Sequence, residues 1–526
     1  MLLTLKQASE WASKYTNKNV TPSNISYLIQ YAQIKCVMKN GLKLIPQENL
    51  IEYYASHQKR REIHWKEKLG SDLNWHLSFE DVKEAETTKH VHRLHPYKGK
   101  FIPQLVEYFL DNHTDNFKRD IYFQPGDIVL DPFCGSGTTL VQANEHGIHA
   151  IGIDVSTFNA LISNAKVADY HLITLYDESR KIASALSHFV SRSNIAAFEA
   201  ELAEQLAAFN AKHFSLAFKH AAKAGQIDQK QYGREREADF LPVYRQLVAH
   251  YQIDLHIPAG TDCFMTRWYL PGIRAEIDLV HNLIQDVKDE AIQNALMLIL
   301  SRTIRSCRAT THADLGTLKT PVTTAYYCRK HGKICKPLFS ISGWWKRYCE
   351  DSIQRWEAFR SLKTDSFQHC LAGDSRTIDI FAAVRQANPH FAKLAETQRI
   401  KGIFSSPPYV GLINYHEQHA YAYDLFGFQR RDEAEIGPLF KGKGRAARES
   451  YIQGVSDVLN NCKRFLAKDY DVFLVANDQF DMYPTIADKV GMHIVEQYKR
   501  PVLNRTEKNR ASAYSETIFH LKKKEN

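Results

Sequence analysis

The segment between Asp127 and Asp154 constrains this chain more than any other. Asp127-Ile128-Val129-Leu130 opens a short apolar run of the kind buried on both faces of a parallel sheet. It passes into the loop Asp131-Pro132-Phe133-Cys134-Gly135-Ser136-Gly137, then into Thr138-Thr139 and a helical stretch ending at His146-Gly147. A second run, Ala150-Ile151-Gly152-Ile153, stops at Asp154. Strand, glycine loop, helix, strand and acid together make the nucleotide-binding half of a doubly wound α/β sheet. Gly135 and Gly137 let the backbone approach a ligand that a side chain would exclude. No Walker lysine follows, which argues against a triphosphate cradle. Asp154 is placed to accept hydrogen bonds from ribose hydroxyls.

A second constellation, Ser405-Ser406-Pro407-Pro408-Tyr409, directly follows the apolar run Gly402-Ile403-Phe404. Two successive prolines fix φ, remove backbone donors and leave carbonyl oxygens that neither helix nor sheet consumes. Such a segment at the carboxyl end of a strand aims a hydroxyl, a carbonyl and an aromatic face at one planar substrate. Asp471-Val472-Phe473-Leu474-Val475 is a later strand of the same kind. From about 170 to 300 the periodicity is helical instead, as in Ile195–Ala211 and Ile273–Leu300.

The remaining composition narrows the class. A chain of 526 residues exceeds one ordinary domain, and 44% hydrophobic with 24% charged residues is the balance of a globular protein. No uninterrupted apolar run is long enough for a transmembrane helix, and the first residues lack the features of a signal peptide. Nine scattered cysteines suit a reducing cytoplasm rather than a disulfide framework. The net charge of +9 is concentrated at the two ends: +6 over residues 1–68 and +5 over 441–526, around a nearly neutral middle. Basic ends suit a polyanion such as nucleic acid.

Residues 1–58 read as a separate small unit. Leu5–Lys14 is amphipathic, Thr21-Pro22-Ser23-Asn24 caps a second helix through Tyr31, and Ile34–Met38 and Leu42–Ile45 flank the hairpin signal Lys39-Asn40-Gly41. Another helix is expected from Pro46 to Tyr54. This order resembles the winged helix-turn-helix of excisionase-like and MerR-like DNA-binding modules. That resemblance implies that Pro22–Tyr31 enters the major groove and that Lys39 and Lys43 meet phosphates. A helical cap packed on the main domain is the alternative.

The two loops carry a second likeness. The chain resembles the DNA amino-methyltransferases, which move a methyl group from S-adenosylmethionine (SAM) to an exocyclic base nitrogen. Asp131, Pro132, Phe133, Gly135 and Gly137 resemble their SAM-binding motif I, and Asp154 resembles the motif II acid. Asp374, in Gly373-Asp374-Ser375-Arg376, resembles the motif III contact to the SAM adenine. The segment His95-Pro96-Tyr97-Lys98-Gly99-Lys100-Phe101 resembles motif X, with Lys98 and Phe101 over the methionine part of SAM. Ser405 joins the cofactor set, and Ser406, Pro407, Pro408 and Tyr409 form the catalytic motif IV.

The resemblance implies an α/β fold: a Rossmann-like methyltransferase sheet with a large helical insertion and a small N-terminal winged helix-turn-helix. The expected division is the DNA-binding module at 1–58, a connector at 59–89, core at 90–170, insertion at 171–364 and core again at 365–526. It also implies double-stranded DNA as substrate, SAM as methyl donor, no membrane, and a bacterial cytoplasmic, nucleoid-associated setting. A separate restriction endonuclease is the possible partner. Serine at the head of motif IV is the form typical of N4-cytosine enzymes, with N6-adenine methylation the alternative; RNA amino-methylation and a SAM-sensing DNA-binding regulator are further rivals. Because the insertion precedes motif III and little chain follows the last motif, it is the candidate target-recognition region, with the winged helix as rival.

Three features lie outside these motifs. Cys328-x2-His331-x3-Cys335, with Cys307 and His312 nearby, has zinc-like spacing, but it also fits buried cysteines in a basic loop, and no metal is assigned. Trp268-Tyr269 and Trp344-Trp345 read as core. Lys499-Arg500-Pro501 and Arg505 to Arg510 form a basic stretch for phosphates or for solvent.

Overall fold

The computed structural model describes the chain apart from residues 17–19, 31–33, 40–41, 216–217, 219–220, 223, 259, 261, 313, 315–317, 338, 504–511 and 525–526. The N-terminal unit holds β1 (Leu2–Leu3), helices Leu5–Thr16 and Pro22–Gln30, β2 (Val37–Lys39) and β3 (Leu42–Pro46). Its antiparallel strands lie in the order β1-β3-β2. The second helix starts where Thr21 and Asn24 cap each other, with Thr21 N–H donating to Asn24 Oδ1 at 2.8 Å. Leu3, Ala8, Ala12, Ile25, Leu28, Ile45 and Leu50 give this unit its own small core. Tyr31 and the turn residues Asn40 and Gly41 lie outside the described residues.

The helix expected to stop at Tyr54 runs from Gln47 to Leu69, so the first part of the connector is helical. Neither proline nor glycine interrupts the sequence before Gly70, which ends the helix with φ of 113°. The charges that read as a linker are a solvated helix face, where Lys66 and Glu62 pair one turn apart at 2.6 Å. The far end of the helix is anchored to the main sheet: Trp65 and Leu73 pack with Leu503.

The main sheet contains β4 (Ile128–Asp131), β5 (His149–Asp154), β8 (Gln368–Ala372), β9 (Ile400–Ser405), β10 (Leu466–Ala476), β11 (Met492–Pro501) and β12 (Ser515–Lys523). Their order is β11-β12-β10-β9-β4-β5-β8. Strands β8, β5, β4, β9 and β10 pair in parallel, and β12 runs against both of its neighbours. Chain order reverses at β4 and β9, and the loops leaving these strands bound the crevice where open α/β sheets bind ligands. Both sheet faces are buried, as near-continuous apolar strands require. Ile128, Leu130, Ile151, Ile153, Ile403, Val472 and Leu474 face one way, under helices Ile380–Ala387, Pro389–Gln398, Arg445–Lys463 and Tyr483–Lys489.

The intervening Val129, Ala150, Phe404 and Phe473 face the other way, toward the long segment between β5 and β8. That segment contains helices Leu172–Ser191, Asn194–His213, Gln229–His250, Pro271–Gln285, Glu290–Ser306 and Ser342–Arg360, and a hairpin of β6 (Tyr326–Cys328) and β7 (Lys333–Cys335). Its buried residues, including Leu186, Phe198, Ile299 and Trp345, are continuous with the sheet-face core. Trp268, Tyr269 and Trp345 are buried and Trp344 is half-buried, as their reading as core requires. No helix of the described residues is long and apolar enough to cross a membrane.

Candidate active site

The loop leaving β4 turns into helix Thr138–Glu145 through two left-handed glycines, Gly135 at φ 54° and Gly137 at φ 73°. Both are also crowded. A Cβ on Gly135 would lie 2.9 Å from the Tyr97 hydroxyl, and one on Gly137 would lie 2.9 Å from Ser163. At the end of β5, the Asp154 carboxylate accepts the Gly135 N–H at 2.8 Å and the Ser156 N–H at 2.9 Å. The acid therefore shapes the glycine loop as well as facing the cavity above it.

That cavity has a volume of about 850 Å³ and opens to solvent. Phe101, Pro132, Phe133, Gly135, Asp154, Asp374, Ser406 and Pro408 line it, so motifs read 300 residues apart in sequence converge on one space. Four expected cofactor residues stand off its surface. Ser405 is fully buried and donates to Asp131 Oδ1 at 2.5 Å, fastening the loop after β4 to the end of β9. Asp131 and Gly137 are therefore supports behind the wall, and Lys98 gives its place on the wall to Lys100. Asp374 lines the cavity while its carboxylate is held by Arg376, with Nη2 donating at 2.6 Å.

Several lining groups were not singled out from the sequence. Tyr97 covers Gly135, with Tyr415 stacked beside it at a centroid distance of 6.4 Å. Glu435 contributes a buried carboxylate whose oxygens accept the His416 N–H at 2.7 Å and the Tyr415 N–H at 3.3 Å. Nothing local marks Glu435, since its role depends on a loop that follows β9 by thirty residues. Ser136, Thr138 and Asn159 line the same space, and their Oγ, Oγ1 and Oδ1 atoms are buried and without a partner among the described residues. Unpartnered buried polar atoms are rare, and here they fit a polar ligand with hydroxyl and amino groups. Burial raises the Asp154 carboxyl from 3.8 to about 6, and Asp131 likewise to about 6.

Beyond β9 the chain separates this cavity from a second one. Ser406 and Pro408 face the first, whereas Tyr409 lines a neighbouring space of about 420 Å³ with Lys443, Asn477, Phe480 and Tyr514. The Tyr409 hydroxyl donates to Glu516 Oε1 at 2.8 Å, and Arg500 pairs with the other oxygen of Glu516 at 3.3 Å. Pro407 is buried between them. Arg500 is thus a buried support for Tyr409 rather than a phosphate contact, and Lys499 is held by Leu69 O and Asp72. Arg505 to Arg510 lie outside the described residues.

The family described as "DNA methylase" matches residues 6–164. The type II methyltransferase M.MjaII of Methanocaldococcus jannaschii is 44% identical over 530 residues, covering 100% of this chain and 97% of that protein. M.MvaI, a type II methyltransferase of Kocuria varians, is 31% identical over 106 residues, 20% of this chain and 22% of its own. M2.DpnII, a type II methyltransferase of Streptococcus pneumoniae, is 33% identical over 104 residues, 20% of this chain and 36% of its own. The first likeness spans both chains almost end to end. This chain belongs to the DNA amino-methyltransferases of the type II methyltransferase family.

Proposed function

We propose that this protein transfers a methyl group from SAM to the exocyclic N4 of a cytosine flipped out of double-stranded DNA. The observation that carries this reading is the position of Ser406–Tyr409 between two cavities, one beside Asp154 and the glycine loop, the other floored by Tyr409. The first has the donor and acceptor set that SAM requires. Asp154 suits the ribose hydroxyls, Glu435 suits an ammonium group, and the orphaned oxygens of Ser136, Thr138 and Asn159 await polar partners. Bound there, SAM supplies a methyl group already activated on a sulfonium.

The chain's own task is to make a poor nucleophile point the right way. The lone pair of an exocyclic amine is conjugated with the ring. The Ser406 hydroxyl and the Pro407 carbonyl accept hydrogen bonds from its two N–H groups and draw the nitrogen toward a pyramidal shape, and the surplus N–H proton is lost to solvent as the methyl group moves from sulfur to nitrogen. The Tyr409 ring, fixed from behind by Glu516, offers a face for the base. Stacking of this kind contributes about 1–3 kcal/mol per base and offsets part of the few kcal/mol lost on unstacking from the duplex. Positioning, rather than covalent catalysis, then lowers the barrier. Serine ahead of Pro407 supports cytosine over adenine.

The N-terminal unit, with its capped helix Pro22–Gln30 and small antiparallel sheet, supports a winged-helix role in gripping DNA. Incubating the enzyme with SAM and unmethylated DNA, digesting to nucleosides and weighing the products by mass spectrometry tests the whole reading. N4-methylcytosine is expected. N6-methyladenine overturns the choice of base, and no methylated nucleoside overturns the transfer itself.

A further inference from the structure

The hairpin of β6 and β7 carries a side-chain cluster that methyl transfer does not use. His312, Cys328, His331 and Cys335 each bring one nitrogen or sulfur into a group whose members all lie within 4.8 Å of one another. We propose that these four residues bind a structural zinc ion that staples the hairpin to the helical segment between β5 and β8. Cys307, near them in sequence, belongs elsewhere, with its thiol against Ser340 O.

Geometry and chemistry agree on this metal. A tetrahedral zinc with about 2.3 Å to sulfur and 2.0–2.1 Å to nitrogen places its S and N ligands about 3.5 Å apart. Cys335 Sγ and His331 Nδ1 are 3.6 Å apart. Two cysteines and two histidines are a closed structural set that leaves no position open for catalysis. The two thiolates balance the dication, so the metal adds no charge to a loop already crowded by exposed Arg329, Lys330 and Lys333. The histidine from outside the hairpin is oriented as a ligand needs: Tyr326 Oη lies 2.7 Å from His312 Nδ1, leaving Nε2 for the ion.

The surroundings show which face a metal would hold. Tyr326, Cys328 and Cys335, with Val322, form a small cluster on one face of the hairpin, separate from the main core, whereas Tyr327 and Ile334 on the other face pack into that core. Polar contacts also fix the core-facing side. The Asn210 side chain brackets Ile334, donating to its carbonyl and accepting its N–H, each at 2.9 Å. Glu237 accepts the Tyr327 N–H at 2.8 Å. These contacts and the burial of Tyr327 and Ile334 fix one face of the hairpin on helices Asn194–His213 and Gln229–His250, and the face that carries Cys328 and Cys335 has only the small apolar cluster and the four proposed ligands.

The full-length protein, purified without chelators, should contain stoichiometric zinc by plasma mass spectrometry, and a thiol-modifying mercurial should release it. The Cys328→Ser/Cys335→Ser double variant should lose the zinc while keeping the parent's SAM affinity. Should that variant fail to fold, cobalt exchanged into the parent should give the visible absorption of a tetrahedral thiolate site. A parent that stays zinc-free after dialysis against a zinc salt overturns the proposal. So does zinc retained by the double variant, or a Cys328–Cys335 disulfide in protein prepared under nitrogen.

Discussion

In the proposed mechanism, removing the Ser406 hydroxyl takes away one of the two acceptors on the substrate amine and nothing from the glycine loop. Ser406→Ala should therefore bind SAM like the parent and lose about 10²–10³ in single-turnover rate, the usual loss for one preorganised hydrogen-bond partner. Rapid-quench measurements on saturating DNA test this, and a rate within a fewfold of the parent would refute it. Asp154 gives a pH signature. Its folded value of about 6 lies above the ordinary 3.8, so the protonated acid favours the fold. That contribution is complete below about pH 4 and lost as pH rises through about 6. SAM binding is expected to run the other way, because in the proposed binding mode the ionised form accepts ribose hydroxyls. Affinity should fall up to about tenfold per pH unit below 6. Asp154→Asn should bind weakly with a flat profile, which calorimetry across that range resolves. Asp131, buried with a similar value, is off the cavity, so it would leave the slope in place if it were the cause.

At the level of elements, helix Gln47–Leu69 sets where the N-terminal unit can be cut. A break at residue 58 would sever this helix, whereas removing residues 1–46 takes the sheet and two helices whole. Six lysines and one glutamate leave with them. SAM binding should be unchanged, and DNA binding should weaken with a log–log salt slope shallower by about 0.9 for each phosphate that is no longer neutralised. An unchanged slope would mean the unit is only a cap. The same helix shows what sequence reading reaches. Strand, loop, helix and acid from Ile128 to Asp154 were legible because the pattern that marks them lies in one contiguous stretch of sequence. The helix end was not, because its charged residues fit a linker and a solvated helix face equally well. The inward contacts of Ser405 and Arg500 were not legible for another reason. Their identities suit ligand and phosphate, and only the pairing of β9 with β4 and of β11 with β12 turns them inward to Asp131 and Glu516. Similarly, His312 joins Cys328 and Cys335 through a tertiary contact that spacing could not choose over Cys307.

For the whole molecule, the decisive fact is that the segment between β5 and β8 shares a core with the sheet. Val129, Phe404 and Phe473 of the catalytic strands belong to one apolar cluster with Leu186, Phe198, Ile299 and Trp345. Sheet and insertion should therefore unfold together, whereas the N-terminal unit, with its separate core, should open on its own. Trp345 is the sharpest probe: it is 0% exposed and its indole N–H donates to Ser179 O at 3.3 Å, far from both cavities in sequence and lining neither. Trp345→Ala should destabilise the common unit by about 3–5 kcal/mol through the cavity it leaves. Hydrogen exchange read by mass spectrometry would then show faster exchange in β4, β5 and β9 as well as in the insertion helices, with residues 1–46 unaffected. If only the insertion peptides lost protection, the insertion would be an independent domain. The shared core would then be a contact surface between two domains joined by a movable connection rather than one packed body.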